Sequence, residues 1–207
     1  MKKIVVATNN VGKAREFKEL LEPLGFHVLT NLDLPEPIDV EETGTTFEEN
    51  AFIKARAICE LMGIPVIADD SGLIVDALGG RPGVYSARYA GEPTDDVQNY
   101  EKVLADLGDL PFEKRTARFY CCIVFVGPGL PDLVTEGTVE GRILYEPIGT
   151  NGFGYNPIFF VDEFGKSLAQ CTSDEKNAIS HRSSALKKMI EKLDKLSEES
   201  GAVLWQS

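Results

Sequence analysis

"KKIVVATNNVGKAREFKELLEPLGFHVLT", residues 2–30, is the stretch that decides how this chain is organised. Its first residues form a short apolar, β-branched run that ends on Thr8, the pattern of a buried strand. Phe17, Leu20, Leu21 and Leu24 then recur at helical spacing, and Gly25 follows them as a stop signal. "FHVLT" returns to strand. Strand, helix and strand in this order predict a parallel βαβ unit.

The same reading continues along the chain. "TFEENAFIKARAICELMG" (46–63) is a helix with Thr46 as N-cap and Glu49 three residues on, a capping box. Phe47, Ala51, Ile58, Leu61 and Met62 form its expected apolar side. "PVIA" (65–68) is a buried strand that stops at Asp69 and Asp70; a turn accounts for one acid, and Asp69 reads as serving either that turn or a contact with nearby cations. "TDDVQNYEKVLADLG" (94–108) is a second capped helix. "RTARFYCCIVFVG" and "LVTEGTVEGRIL" are strands joined by "PGLPD", and "NPIFFV" (156–161) is a further strand. "SALKKMIEKLDKLSEE" (184–199) is amphipathic, with Leu186, Met189, Ile190, Leu193 and Leu196 on one side. The class is α/β or mixed α+β, a central sheet covered by helices. The closing "GAVLWQS", with Trp205, carries no motif.

Bulk properties narrow the function. A formal net charge of -12 argues against a nucleic-acid polymer as partner, because such binding relies on a basic surface. It leaves room for a small anion held by a local group of cations. No stretch approaches the roughly 18 apolar residues of a membrane span. The start "MKKIVVATNN" is too short in apolar residues for a signal peptide, so a cytoplasmic protein is expected. Cys59, Cys121, Cys122 and Cys171 form no CxxC pair, and His27 and His181 are the two histidines. Neither a zinc site nor a disulfide framework is expected; the cysteines read as small core residues.

Five segments can carry chemistry. In "ATNNVGKARE" a polar turn leads into a helix at about Lys13. Helix N-terminal amides, the side chains of Thr8, Asn9 and Asn10, and the Lys13 charge suit a phosphate. Neither GxxxxGK[ST] nor GxGxxG is present, which counts against a P-loop and against a dinucleotide-dependent oxidoreductase. Glu41 and Glu42 lie in a loop before a helix on which Asn50 and Lys54 share a face, read as solvated. Asp70, beyond a strand, is placed to hold a metal or take a proton from water. "GTNGFGYNPIFF" (149–160) sets Phe153 and Tyr155 among three glycines, a candidate platform for a base. "TSDEKNAISHRSSALKK" (172–188) brings Lys176, His181 and Arg182.

Taken in order, "TNNVGK", "EETGTTFEENAFIKA", "ADDSGL", "GGRPGVYSARYAG", "GTNGFGYNPIF" and "KNAISHRSSAL" make the chain resemble the inosine triphosphate pyrophosphatase family, the dITP/XTP diphosphatases, over nearly its whole length. The resemblance implies an α/β fold: an elongated central mixed β-sheet flanked by helices, in two lobes with an active-site cleft between them, residues 1–207 forming a single domain. It implies a homodimer that needs Mg²⁺. It also implies hydrolysis of non-standard purine nucleoside triphosphates (ITP, dITP, XTP) to the monophosphate and pyrophosphate, which keeps deaminated purines out of DNA and RNA.

Carried over by motif, Thr8, Asn9, Asn10, Val11, Gly12 and Lys13 hold the triphosphate, with Lys54 helping to neutralise it. Asp70 is the proton acceptor and a metal ligand, with Ser71 touching substrate. Glu42, favoured over Glu41, is the second metal ligand. Phe153, Gly154, Tyr155 and Asn156 line the base pocket, and Lys176, His181 and Arg182 complete the contacts. Hypoxanthine and xanthine carry an oxygen at position 6 where adenine carries an amino group. A donor from His181 or Arg182 to that oxygen discriminates by roughly 10⁴–10⁵ at best. The chain departs from the family pattern at Asn156, usually Asp, and at Ser183, usually Gly. The first departure puts the role of position 156 in question.

Overall fold

A computed structural model describes residues 2–34 and 38–200; "GAVLWQS", with Trp205, lies outside them. The strands are β1 (Lys2–Val6), β2 (Phe26–Thr30), β3 (Val66–Val75), β4 (Thr116–Val126), β5 (Leu133–Ile143), β6 (Phe159–Val161) and β7 (Lys166–Ser167). The helices are α1 (Val11–Leu21), α2 (Phe47–Met62), α3 (Asp96–Leu107), α4 (Ser173–Ile179) and α5 (His181–Ser200). The strands form one sheet in the order β2-β1-β3-β4-β5-β6-β7. β1 runs parallel to β2 and β3, whereas β6 runs antiparallel to β5 and β7, so the sheet is mixed. No helix among the described residues is long and apolar enough to cross a membrane.

The βαβ opening folds as its periodicity predicts. Asn10 caps α1 by accepting the Lys13 N–H at 2.9 Å, so the helix begins at Val11, two residues earlier than expected. Phe17 and Leu21 are buried, but Leu24 is exposed. Pro23 ends the helical ladder, and Leu24 falls in a 3₁₀ turn closed by Gly25 at φ 86°. α2 carries the capping box of Thr46 and Glu49 and buries Ala51 and Ile58, while Leu61 in its last turn faces solvent. The cap of α3 is Asp95, whose carboxylate accepts the Gln98 N–H.

Two expectations about strands need correction. β3 does not stop at Ala68: it runs on through Asp69 and Asp70 to Val75, so the acids lie inside the strand and start no turn. "NPIFFV" is not all strand. Asn156–Ile158 is a 3₁₀ turn, favoured by a proline without an N–H, and only Phe159–Val161 joins the sheet.

Chain contacts divide the molecule into two compact units. The first comprises Met1–Asp70, Cys121–Gly137 and Arg182–Ser207. Its core packs Ile4, Val6, Ile67, Cys121, Ile123 and Phe125 against Phe17 and Leu21 of α1 and Leu186, Met189 and Leu193 of α5. Each such side chain contributes about 1.5–3 kcal/mol when fully buried. Side chains alternate along a strand. The face of β3 that meets α1 and α5 therefore takes Ile67 and Asp69, and the opposite face takes Val66, Ala68 and Asp70. All four cysteines are buried, and burial pushes the Cys122 thiol up to about 12.

The second unit comprises Ser71–Tyr120 and Thr138–His181. Leu73, Val75, Val103, Leu107, Phe119, Ile158 and Phe159 belong to its core. Arg115, 1% exposed, ties its edges together without a carboxylate. Its guanidinium donates to the carbonyls of Ile143 (2.8 Å), Gly108 (2.8 Å) and Leu144 (3.0 Å), and the Tyr145 ring lies 4.5 Å away. Replacing this fork strands buried carbonyls at three places. Arg115→Ala is expected to lower unfolding stability by about 3 kcal/mol, and Arg115→Lys to recover little because one ammonium cannot span the carbonyls. Urea unfolding of the three proteins checks this.

Candidate active site

Asp69 and Asp70, adjacent in β3, are 1% and 6% exposed. On the α1–α5 side, Asp69 Oδ2 accepts from Arg182 Nε (3.3 Å) and Nη2 (3.1 Å) and lies 3.1 Å from Lys13 Nζ. Arg182 also pairs with Glu16 through Nη1. α1 places Lys13, Glu16 and Phe17 on one face, so burying Phe17 carries both charges inward. Burial works to lower the Arg182 pKa, but Asp69 and Glu16 outweigh it and the net shift is upward. Two cations meet two anions here.

On the other face Asp70 meets α2. Asn50 is fully buried and donates through Nδ2 to Asp70 Oδ2 at 3.2 Å. Its Oδ1 accepts the Gly44 N–H at 2.8 Å, which fixes the amide so that its donor side faces Asp70. Gly44 must be glycine for this: a Cβ there would stand 2.6 Å from Asn50 Oδ1. Lys54 Nζ lies 2.7 Å from Glu42 Oε1 and 3.9 Å from Asp70 Oδ1. Burial raises the Asp70 pKa above the usual carboxylate range. Lys13 and Lys54 oppose that rise, and Glu42 and Asp69 reinforce it. Burial alone would lower Lys54, but Asp70, Glu42 and Asp69 raise it. Among the described residues the Lys54 ammonium thus meets two acids, Glu42 and Asp70.

The segment before α1 presents an N-terminus shaped for an anion. Lys13 and Ala14 give their amides to Asn10, while the Val11 and Gly12 amides make no hydrogen bond among the described residues. Thr8 is buried and its hydroxyl accepts the Asn10 N–H at 3.2 Å; Asn9 donates to the Ile38 carbonyl at 3.0 Å.

A protein-family model described as the Ham1 family matches residues 4–192. The chain belongs to the Ham1 family. It is 55% identical over 195 residues to a Bacillus cereus protein named dITP/XTP pyrophosphatase, covering 93% of this chain and 95% of that one. The solved structure of the Staphylococcus aureus Ham1 protein superposes with a TM-score of 0.83 at 46% identity, covering 94% of this chain and 99% of that one. A HAM1 protein from Coxiella burnetii gives 0.83 at 42% identity, with 94% and 100% covered.

The remaining residues expected at a Ham1-family site lie in or at the edge of the second unit. Ser71 is half-buried in β3. Phe153 is half-buried, and its ring centre lies 5.5 Å from the buried Lys176 ammonium. His181 opens α5 and stacks on Phe119, centroids 5.1 Å apart at 14°. Tyr155 is buried and its hydroxyl donates to the Ser86 carbonyl at 2.6 Å. Asn156 is buried against Gly152, where a Cβ would come within 2.0 Å of its Nδ2.

Three residues stand apart from the expectation. Arg182, expected at the base, gives its guanidinium to Asp69 and Glu16 in the first unit. Asn50, read as part of a solvated face, is buried against Asp70. Glu16 drew no notice as a site residue; its place three residues after Lys13 and beside Phe17 was the available signal. Among the described residues no three His, Cys, Asp or Glu side chains gather as a metal cage. The acids that approach each other are Glu42, half-buried, and Asp70, both against Lys54, while Glu41 is exposed.

Two outcomes follow from this charge pattern. The folded-state pKa of Asp70 is raised, so its charge weighs against folding once the pH passes that pKa and weighs nothing below its unfolded value of about 3.9. Asp70→Asn is therefore expected to raise the melting midpoint at pH 7 by about 2–4 °C, with the gain vanishing toward pH 4. Melting curves across pH check this, and a lower midpoint at pH 7 would refute it. Arg182→Ala leaves Glu16 and Asp69 buried without their main cation and is expected to cost about 3–5 kcal/mol. Its remaining folded fraction should lose ITP and ATP turnover alike, measured at a temperature where it stays folded.

Proposed function

We propose that this chain hydrolyses the deaminated purine nucleoside triphosphates ITP, dITP and XTP to the nucleoside monophosphate and pyrophosphate, and so keeps those bases out of DNA and RNA. The observation that carries the reading is Asp70. It is a buried carboxylate with a raised pKa, oriented by Asn50 on one oxygen and facing an ammonium on the other. Such a group suits a general base for water. The family membership supports the substrate class, since the Bacillus cereus relative bears the name dITP/XTP pyrophosphatase.

The first-turn amides of α1, with Lys13, receive phosphate oxygens, and Thr8, Asn9 and Asn10 hold the turn that presents them. Lys54 neutralises a further part of the charge. Oxygen donors from two acids suit Mg²⁺, which takes one or two carboxylates and completes its shell with phosphate and water. Glu42 and Asp70 are the residues that would hold it. When bound, the ion supplies charge neutralisation and activation of water. Asp70 orients the attacking water and accepts its proton, and most of the remaining barrier is lowered by fixed charges around the phosphates. In the second unit, Phe153 offers a face to the base while Lys176 and His181 supply donors. Ser71 contributes a hydroxyl at the start of that unit.

The two units acting as one domain, and a homodimer, belong to the same proposal. Exposed Tyr85 and Val97 in the second unit are apolar surface in keeping with a partner copy.

A substrate panel with Mg²⁺ tests the reading. Expected is pyrophosphate released from ITP, dITP and XTP, with kcat/KM for ATP at least about 100-fold lower, and no turnover in EDTA. Asp70→Asn should lower kcat by roughly 10²–10⁴ while ITP still binds. Orthophosphate as the direct product, or ATP turned over as fast as ITP, would defeat the assignment. Unchanged turnover in Asp70→Asn would remove the base from Asp70.

A further inference from the structure

The glycine-rich segment 149–156 is held at both ends. Thr150 and Asn151 donate their amides to the Ala169 carbonyl (3.2 and 2.9 Å), and Asn151 Nδ2 donates to the Cys171 carbonyl at 3.0 Å. At the other end Tyr155 is anchored on the Ser86 carbonyl. Between these anchors lies the peptide joining Phe153 to Gly154. Its carbonyl accepts the Asn156 N–H at 3.3 Å, and its N–H is donated to the carboxylate of Asp96 at 2.8 Å. Both ends of that peptide unit are thus engaged, and with them the backbone torsion that aims the Phe153 side chain.

Asp96 is not the cap of its own helix. The preceding residue, Asp95, already caps α3 by accepting the Gln98 N–H at 2.8 Å. Two consecutive acids divide the work, one for the helix and one for a loop that is 58 residues away in sequence. Gly154, at φ 61°, supplies the left-handed turn, and a Cβ there would meet nothing within 4 Å. The glycine thus serves the backbone conformation and not the packing.

We infer that Asp96 is a positioning residue for base recognition: its carboxylate holds the Phe153–Gly154 peptide so that the Phe153 ring is set in place before substrate arrives. This rests on the reading of Phe153 as the base platform. Without Asp96 the Gly154 N–H turns to water, the peptide is free to rotate, and part of the binding energy goes into ordering it. The chemistry at Asp70 is untouched.

Steady-state kinetics on the full chain test this. Asp96→Ala should raise KM for ITP about fivefold, the worth of one charge-assisted hydrogen bond at an exposed site. kcat should stay within about twofold, and the Ki of inorganic triphosphate, which has no base, should not change. Asp96→Asn keeps an acceptor oxygen and should restore KM. An unchanged KM in Asp96→Ala, a Ki that rises in step with KM, or an Asn variant no better than Ala would each overturn the inference. Phe153→Ala separates the two layers. If it leaves KM for ITP unchanged, the platform reading fails. If it raises KM while Asp96→Ala does not, the platform stands and the role of Asp96 falls.

Discussion

Two carboxylates side by side in the interior of β3 impose the arrangement of everything near them. A strand sends adjacent side chains to opposite faces, and a buried charge is costly unless it is paired. Asp69 therefore requires cations from one layer of helices and Asp70 requires polar partners from the other. α1 and α5 answer the first with Lys13 and Arg182; α2 answers the second with Asn50 and Lys54. The helices on the two faces are thus tied to the sheet by charge as well as by apolar packing.

The two faces are not equivalent. Around Asp69, Lys13 and Arg182 meet Asp69 and Glu16, and Arg182, Glu16 and Asp69 are buried. Around Asp70 the Lys54 ammonium meets both Glu42 and Asp70, and burial leaves the Asp70 carboxylate with a raised affinity for protons. Natural sites carry such local instability because the rest of the fold offsets it.

The glycine-rich loop shows the same economy in the second unit. Its glycines answer different demands. Gly149 would drive a Cβ to 2.5 Å from the Ala169 backbone, and Gly152 would strike Asn156. Gly154 is required by its backbone angle instead. A loop without repeating structure is made rigid by hydrogen bonds from its backbone to distant residues.

The βαβ opening, the capping box at Thr46, the amphipathic last helix and the family were all readable in the sequence, because each is written in local spacing and in motif order. What periodicity could not supply was the partner of each charge. Local grounds leave both a turn and a contact with cations open for Asp69, because adjacent acids in a strand are uneconomical without distant partners. Only cations delivered from α1 and α5, and an amide and ammonium from α2, make the strand the better state. From spacing alone Asn50 and Lys54 read as a solvated pair, while the motif resemblance gives Lys54 to the triphosphate; their face of α2 is where the helix meets Asp70. Arg182 carried a motif that pointed to substrate, and its partners Glu16 and Asp69 lie 166 and 113 residues away. The sequence by itself determined which segments are strands and helices and which residue types can do chemistry. Tertiary structure alone decided which charges meet, because that depends on distances between residues that are remote along the chain.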